Sequence, residues 1–413
     1  MLIGNLRASR GAYPAHLRKI LSIEAANESR RWLSHWSLLN PSATPLSDLP
    51  DTAAQLNVDR VSVKDESVRS ELGSFKALGA PIALVRLVQR LLPEHRLDSA
   101  TLLRGDYRDL VSGLTVISAT DGNHGRALAA AARSLGCRCV IVLHSGVSAE
   151  REQAIAAYGA RIVRSAGNYD ASVEGAARLA AANGWHVVSD TSYEGYEEIP
   201  CDVMQGYGAI AAEVIEQTGS LPDQPAFTHV ILQGGVGGLA AGVASYLWEF
   251  HGRNRPRFIV VEPQQADCLL QSAIEGRPAR ATGSVDSVMA GLACGEASPL
   301  AWKFLQLCID DFLTIADHDA VSAMRTLAAG SVRDVPVVAG EFGAAGLAGL
   351  TVLSRDVRMA KAVGLGSSSR VLLINTEGAT APSVYLDLVA ESAADVQKRQ
   401  AAWLALRHGG YGL

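Results

Sequence analysis

The chain has 413 residues, which is enough for one large domain or two of ordinary size. Hydrophobic residues make up 48% and charged residues 19%, a balance typical of a globular protein with ample core material. The net charge of −5 contains no block of like charges, which argues against a nucleic-acid-binding protein. The six cysteines form no CxxC pair, so we expect no metal site, no disulfide framework and reduced thiols in a cytoplasmic protein.

Two stretches bear on targeting and membrane insertion, the N-terminus and the most apolar segment of the chain. The N-terminal stretch lacks the continuous apolar core of a signal peptide. The most apolar stretch, residues 335–353, is rich in glycine and is interrupted by Glu341. Neither a signal peptide nor a membrane span is therefore predicted.

In chain order, the first unusual stretch is "GSFKALG" at residues 73–79, where a lysine lies between an aromatic residue and an apolar run. Gly73 and Ser74 suit a turn and a helix N-cap, which places Lys76 in the first turn of a helix. The positive dipole end and an apolar pocket both disfavour the ammonium, so we expect a lowered pKa and a nucleophilic amine. The alternative is a surface lysine that extends into solvent.

Short β-branched runs alternate with glycine-rich turns and alanine-rich helical stretches, which predicts an α/β fold. The runs are "LTVIS", "CVIVLH", "THVILQ", "RFIVVEP" and "RVLLIN". Continuous apolar strands of this kind indicate parallel sheets covered on both faces, with ligands beyond the carboxyl ends of the strands. We expect two lobes, a large one from residues 1–95 with 215–413 and a small one from 96–214.

A glycine-rich loop, "SATDGNHG", begins at residue 118 between a predicted strand and a predicted helix. Asp121, Asn123 and His124 meet there, and the helix start with the Thr120 hydroxyl suits a substrate carboxylate. An aspartate repels that carboxylate unless it faces the other end of the substrate, where an ammonium or a proton is handled. The alternative is that Asp121 only caps the helix.

An acidic and aromatic loop, "VVSDTSYEGYEEIP", follows a later strand at residues 187–200. Asp190 is the first acid after that strand, on the ligand side of the predicted sheet. The alternative is an ordinary turn aspartate.

The loop "QGGVGGLAAG" at residues 233–242 follows a strand and opens a helix. Its glycines leave backbone N–H groups bare and able to surround a phosphate at the helix N-terminus. A tight turn that only needs glycine conformations is the simpler alternative. The spacing Gly235-x-Gly237-x-x-Ala240, with Glu262 at the end of the next strand, also fits a dinucleotide site, so a nicotinamide enzyme competes.

Taken together, "SFKALG", "DGNHG", "GGVGG" and "NTEG" occur in the order seen in fold type II pyridoxal-phosphate enzymes, which include serine dehydratases and cysteine synthases. Within that class the chain most resembles the diaminopropionate ammonia-lyases, through "ATDGNHGRALA", "SDTSYEGYEEIP", "VMQGYGAI" and "VMAGLACGEASPLAW". The resemblance covers roughly residues 60–380. It implies two lobes, each with a mostly parallel sheet flanked by helices, and pyridoxal 5'-phosphate in the cleft between them.

The resemblance also implies roles for cofactor-binding residues. Lys76 forms the Schiff base with the cofactor aldehyde, and Asn123 bonds its phenolic oxygen. Thr376 meets the pyridine nitrogen, where a hydroxyl leaves that nitrogen largely neutral. The phosphate is held by the glycine loop, namely Gly234, Gly235, Val236, Gly237 and Gly238.

The implied reaction is α,β-elimination of 2,3-diaminopropionate to pyruvate and two ammonia, in a cytoplasmic homodimer without bound metal. Asp121 and Asp190 are the implied proton-transfer groups, and the implied substrate contacts are Thr120, His124, Thr191 and Tyr193. Two departures stand out, since the lyases have an acid where this chain has Ala379 and a small residue where it has Phe342. A dehydratase of the same fold, a nicotinamide dehydrogenase and a non-catalytic binding protein are the alternatives.

Overall fold

The computed structural model describes residues 1–120, 122–166 and 169–408, in which strands alternate with helices. The strands are β1 (Leu2–Gly4), β2 (Leu46–Asp48), β3 (Arg60–Asp65), β4 (Thr115–Ala119), β5 (Arg138–His144), β6 (Arg161–Ser165), β7 (His186–Val187), β8 (His229–Gln233), β9 (Arg257–Pro263), β10 (Asp311–Ile315) and β11 (Arg370–Asn375).

The α-helices are α1 (Ala15–Arg18), α2 (Ile23–Leu33), α3 (Pro50–Gln55), α4 (Ala80–Leu91), α5 (Ser99–Arg104), α6 (Arg108–Val111), α7 (Asn123–Leu135), α8 (Ala149–Ala156), α9 (Tyr169–Asn183), α10 (Glu198–Thr218), α11 (Gly238–His251), α12 (Cys268–Glu275), α13 (Pro299–Cys308), α14 (Asp317–Ala329), α15 (Ala345–Arg355), α16 (Val357–Val363), α17 (Pro382–Val389) and α18 (Ala393–His408). Short 3-10 turns occupy Glu66–Val68, Phe75–Leu78, Pro93–His95, Gly252–Asn254 and Ala290–Leu292.

The larger sheet in the described part of the chain has the strand order β1-β10-β9-β8-β11-β3-β2. Its five inner strands run parallel, and the short edge strands β1 and β2 pair antiparallel with β10 and β3. Every residue of β8 and β10 is buried, because helices cover both faces of the sheet. The predicted parallel α/β architecture is confirmed here.

The smaller sheet among these residues has the order β6-β5-β4-β7, and its strands are all parallel. Its helix α7 is rich in alanine, so its backbone packs closely on β4 and β5. Gly125 shows how tight this packing is, since a Cβ there would lie 2.3 Å from the Thr120 methyl carbon. The small sheet thereby presents the start of α7 at the carboxyl end of β4.

The strands of the small sheet all lie within residues 96–214, and those of the large sheet lie outside that range. On the basis of this division of the strands between two sheets, we propose that the chain forms the two expected lobes. Helix α10 runs across the boundary between residues 214 and 215 and packs on α11 and α2 of the large lobe. No helix among the described residues is long and apolar enough to cross a membrane.

Candidate active site

A cavity lies at the carboxyl ends of β4, β8 and β11, where parallel sheets place their ligands. The loop after β7 and the 3-10 turn before α4 complete its wall. Nine of the residues predicted from the sequence line it, namely Lys76, Thr120, Asn123, His124, Asp190, Gly234, Gly235, Val236 and Gly238. The fold therefore brings together nine predicted residues that are up to 162 positions apart in the chain, from Lys76 to Gly238.

Lys76 lies in the 3-10 turn Phe75–Leu78, which leads directly into α4. Ser74 has the extended backbone of a cap residue, but its buried hydroxyl makes no hydrogen bond within the described residues. The lysine amine contacts the Asp190 carboxylate and lies 5.0 Å from the centre of the Phe75 ring and 5.8 Å from that of Tyr207. Lys76 thus lies in a tighter turn than the predicted helix start. The predicted apolar surroundings of its amine are confirmed by the Phe75 and Tyr207 rings.

The expectation of a lowered pKa at Lys76 is wrong. Burial lowers the pKa of Lys76, but the Asp190 carboxylate and, to a lesser degree, Tyr207 and Cys294 outweigh burial, so the pKa lies above its ordinary value. Burial in turn raises the pKa of Asp190, and the charge of Lys76 more than reverses this, so the carboxyl stays ionised. Lys76 must therefore lose a proton before its amine can act as a nucleophile.

His124 lies in the first turn of α7 and is buried beside this pair. Its Nε2 is 2.9 Å from the Val188 carbonyl oxygen, which can only accept, so Nε2 carries a proton. Burial lowers the pKa of His124, which keeps the ring neutral. Its Nδ1 lone pair, 3.9 Å from Asp190 Oδ2, has no hydrogen-bond donor among the described residues and is an acceptor in the cavity wall.

Asn123 is the first residue of α7, and its Nδ2 donates to Glu377 Oε2 at 2.6 Å. Thr380 Oγ1 donates to the same oxygen at 2.9 Å. On the side of β4, Thr120 Oγ1 accepts from the N–H groups of Gly122 and Gly125. Asp121, the other predicted proton-transfer group, lies outside the described residues.

The glycine loop joins β8 to the start of α11. Gly235 and Gly237 have φ of 62° and 101°, a left-handed conformation that suits glycine. No hydrogen bond within the described residues uses the N–H groups of Gly235, Val236 or Gly238, which leaves them free for an anion at the helix start. Gly237 faces the other way, since a Cβ there would lie 2.7 Å from Leu305 Cδ1.

Two predicted substrate residues lie outside the cavity wall. The N–H of Thr191 donates to Ser189 Oγ at 3.3 Å, so this residue shapes the loop after β7. Tyr193 is 47% exposed and stacks on Tyr196 with ring centres 4.8 Å apart. Neither side chain lines the cavity, so the expectation that both contact the substrate is not supported by this geometry.

Glu262, the candidate ribose ligand, has a structural role. It lies under the glycine loop, where a Cβ on Gly234 would be 2.6 Å from its Cγ. Its two oxygens accept from the N–H groups of Leu269 and Leu270 at 2.9 and 2.8 Å, at the start of α12. Burial raises the pKa of Glu262 to about 8. This carboxyl faces a helix rather than a ligand, so the dinucleotide interpretation of it is wrong.

Several cavity residues were not predicted as site residues, namely Glu377, Arg151, Tyr207 and Thr380. Of these, only Glu377 carries a weak local signal, because it is an acid shortly after a buried strand. The Phe342 ring fills the space beside Gly291, where a Cβ would lie 2.3 Å from it. The large residue at 342 is therefore accommodated by a glycine, whereas Ala379 does not line the cavity.

The residues present fit pyridoxal phosphate. The N–H groups of the glycine loop suit its phosphate, and Lys76 is the lysine of the cavity wall in the described part of the chain. The Thr376 hydroxyl at the end of β11 is fully buried and has no partner there, so it has a hydrogen bond to offer. Thr376 itself does not line the cavity, and its assignment to the pyridine nitrogen stays a prediction. The two mostly parallel sheets, the cavity at the carboxyl ends of their strands and the lysine in its wall together define a pyridoxal-phosphate-dependent enzyme of fold type II.

Comparisons with known proteins agree with this class. Residues 38–377 match the family model of pyridoxal-phosphate dependent enzymes. The diaminopropionate ammonia-lyase of Salmonella typhimurium is 39% identical over 86% of this chain and 90% of its own length. The chain belongs to the pyridoxal-phosphate-dependent enzymes, in the family of the diaminopropionate ammonia-lyases.

Solved structures show the same relationship. The Escherichia coli diaminopropionate ammonia-lyase in complex with an aminoacrylate–PLP azomethine reaction intermediate matches with a TM-score of 0.83. The identity is 35%, over 94% of this chain and 96% of that chain. The D-serine complex of the same enzyme matches with a TM-score of 0.83 and 34% identity, over 96% of this chain and 98% of that chain. Pyridoxal phosphate is accordingly the cofactor.

Gly238 offers the sharper test of the phosphate site, because a substitution at Gly237 would disturb packing first. A Cβ on Gly238 meets nothing closer than 3.5 Å, and its φ is not left-handed. We expect Gly238→Asp to weaken cofactor binding about 10–100-fold, since a carboxylate repels the phosphate. Titration with pyridoxal phosphate, followed by absorbance, measures this.

Gly238→Asn is the matched control, because it has nearly the same size without the charge. We expect it to bind the cofactor clearly more tightly than Gly238→Asp, with the gap narrowing as salt screens the repulsion. Equal losses in the two variants would show that crowding rather than charge matters at this position.

Proposed function

We propose that this chain catalyses the pyridoxal-phosphate-dependent α,β-elimination of 2,3-diaminopropionate, as a carbon–nitrogen lyase. With one water, the substrate yields pyruvate and two ammonia. The observation that carries this proposal is the contact between the Lys76 amine and the Asp190 carboxylate inside the cavity, which supplies a nucleophile beside a proton-transfer group. The cofactor, when bound, withdraws electrons from the substrate Cα and so makes its proton removable.

Asp190 is the proton-transfer group whose surroundings favour this role. Its low pKa depends on the charge of Lys76, so neutralising that amine raises the pKa of Asp190 and makes the carboxylate a stronger base. His124 lies 3.9 Å away and also lowers the pKa of Asp190, but less than Lys76 does. The second group, Asp121, is assigned on the resemblance alone.

The other side chains bind and orient. The Thr120 hydroxyl and the start of α7 suit the substrate carboxylate, since N–H groups and a partial positive charge meet there. The start of α11 suits the cofactor phosphate. A β-ammonium is a better leaving group than a β-amine, so the carboxylates near the cavity also serve to hold that cation.

A substrate panel tests the proposal. Purified holoenzyme is incubated separately with D- and L-2,3-diaminopropionate, D- and L-serine, and L-threonine. The ammonia and the keto acid released from each substrate are both measured. We expect the diaminopropionates to be preferred and to release two ammonia per pyruvate, whereas serine releases one. Preference for serine or threonine would assign the chain to the dehydratases, and no turnover of either diamine would overturn the proposal.

We propose further that the enzyme is a homodimer in the cytoplasm. None of the six cysteines, all of which lie among the described residues, is in a disulfide, and four of them are buried, which suits a reducing compartment. The assembly is tested by light scattering, which should give twice the chain mass of 43.5 kDa. A mass of one chain at working concentration would exclude the dimer.

A further inference from the structure

Glu377 lies two residues after the end of β11 and lines the cavity, yet it is only 1% exposed. Its Oε2 accepts from both Asn123 and Thr380, at 2.6 and 2.9 Å. Its Oε1 has no hydrogen-bond partner among the described residues and rests against Gly340, where a Cβ would lie 2.7 Å away. Such a carboxyl has one satisfied oxygen and one enclosed oxygen without a donor.

The charges around Glu377 do not balance a carboxylate. Among the described residues, the charged groups that act on it are Glu341 and Arg151. Arg151 Nη2 lies 3.3 Å from Glu341 Oε1, so the one cation faces the other acid. Across the cavity, Lys76 contacts Asp190 in the same way. A second negative charge beside Glu341 would therefore be buried without a cation of its own.

We propose that Glu377 is a positioning residue that acts as a neutral carboxylic acid and fixes the Asn123 amide toward the cofactor's phenolic oxygen. Its Oε2 is the carbonyl oxygen that accepts from Asn123, and the proton sits on Oε1. The inference rests on the assignment of Asn123 to the cofactor in the proposed function, and it does not depend on which amino acid is the substrate.

The effects of its surroundings on the pKa of Glu377 favour the protonated carboxyl group. Burial and the nearby Glu341 carboxylate raise the pKa of Glu377 well above its usual range. The hydrogen bonds from Asn123 and Thr380 and the charge of Arg151 act in the opposite direction but are outweighed.

The geometry explains why Asn123 needs such an anchor. An amide nitrogen carries two hydrogens, and Glu377 takes one of them. The second hydrogen remains for an acceptor in the cavity, such as a phenolic oxygen. Without Glu377 the amide can turn over and present its carbonyl oxygen, which repels that acceptor.

The first experiment uses the protein stripped of cofactor and compares wild type with Glu377→Gln. Glutamine is an isostere of protonated glutamate, since it has one accepting oxygen and one donating group, but it does not titrate. An acid whose folded pKa is raised destabilises the folded state as pH rises above its unfolded value, about 4.3. We therefore expect the melting temperature of Glu377→Gln to rise relative to wild type from pH 5 to pH 8.

A flat or falling difference between the two proteins would overturn the proposal, because it would show that folding does not raise the pKa of Glu377. This measurement involves neither cofactor nor substrate. Its outcome is therefore separate from that of the substrate panel.

The second experiment follows the visible spectrum and cofactor affinity of the holoenzyme. We expect Glu377→Gln to keep the wild-type band and to bind the cofactor within about twofold, whereas Glu377→Ala shifts the band and binds about tenfold more weakly. If Glu377 acts through Asn123, the alanine change adds little in an Asn123→Ala background. Additive losses, or a glutamine variant as impaired as the alanine variant, would contradict the positioning role.

Discussion

Lys76→Ala is expected to abolish the covalent link to the cofactor and to reduce turnover by about three to six powers of ten, as losses of covalent catalytic groups do. The reason is that Lys76 is the lysine that lines the cavity in the described part of the chain. The variant also leaves Asp190 buried without the ammonium that keeps it ionised, so its pKa should rise. The yellow absorption of the holoenzyme should disappear with the link.

Reduction of the native holoenzyme with borohydride, followed by peptide mapping, locates the linked lysine. The chain contains six lysines, which makes the map simple to interpret. Lys64 is the natural internal control, since it is fully buried but donates to Glu213 at 2.6 Å and does not line the cavity. A label on Lys64 or on a surface lysine would refute the assignment of Lys76.

Asp190→Asn is expected to cost about two to four powers of ten in turnover of L-2,3-diaminopropionate, the usual effect of losing a general base. Asparagine keeps the shape of the side chain but cannot take a proton. For Asp121→Asn we expect the same loss on the D-isomer, because one fixed base cannot reach the Cα proton on both faces of the substrate. Ammonia and pyruvate release from each pure enantiomer measure both effects.

The two variants serve as controls for one another. Each should retain most of its activity on the enantiomer that the other variant fails to use, and both should keep the visible band of the bound cofactor. Equal losses on both isomers in both variants would mean that the aspartates are shared binding groups. A lost visible band would instead show that cofactor binding has been disturbed.

Five inner strands, β4, β5, β8, β9 and β11, were predicted because they are long and almost entirely buried, whereas the inner strands β3 and β10 were not predicted. The runs that became β5, β8, β9 and β11 are five to seven residues long and rich in valine, isoleucine and leucine, which strands buried on both faces require. The edge strands β1 and β2 have three residues each, and β7 has two. Segments so short have no period to detect, and only their pairing partners define them.

The active-site motifs were predictable because glycines and polar residues follow strands at fixed places. The raised pKa of Lys76 was not predictable, because the Asp190 carboxylate that raises it lies 114 residues away in the chain. Only the fold brings Lys76 and Asp190 together. Glu377 carries a weak sequence signal, because it is an acid shortly after a buried strand. Its neutral state was not predictable, because only the fold places Glu341 and Arg151 near it. Tyr193 was misplaced because an aromatic residue in a loop does not reveal which way it faces.

The strand order of the large sheet has a consequence for synthesis on the ribosome. Strand β3 pairs with β11, with Arg60 opposite Arg370, so these partners are 310 residues apart. At about 5–20 residues per second, β3 waits roughly 15–60 s for β11 to emerge, with only the short β2 beside it. The small sheet, in contrast, is complete once residue 187 has been made. The nascent chain therefore carries a finished small sheet while β3 keeps an open apolar edge, and such an edge is prone to pair with other chains.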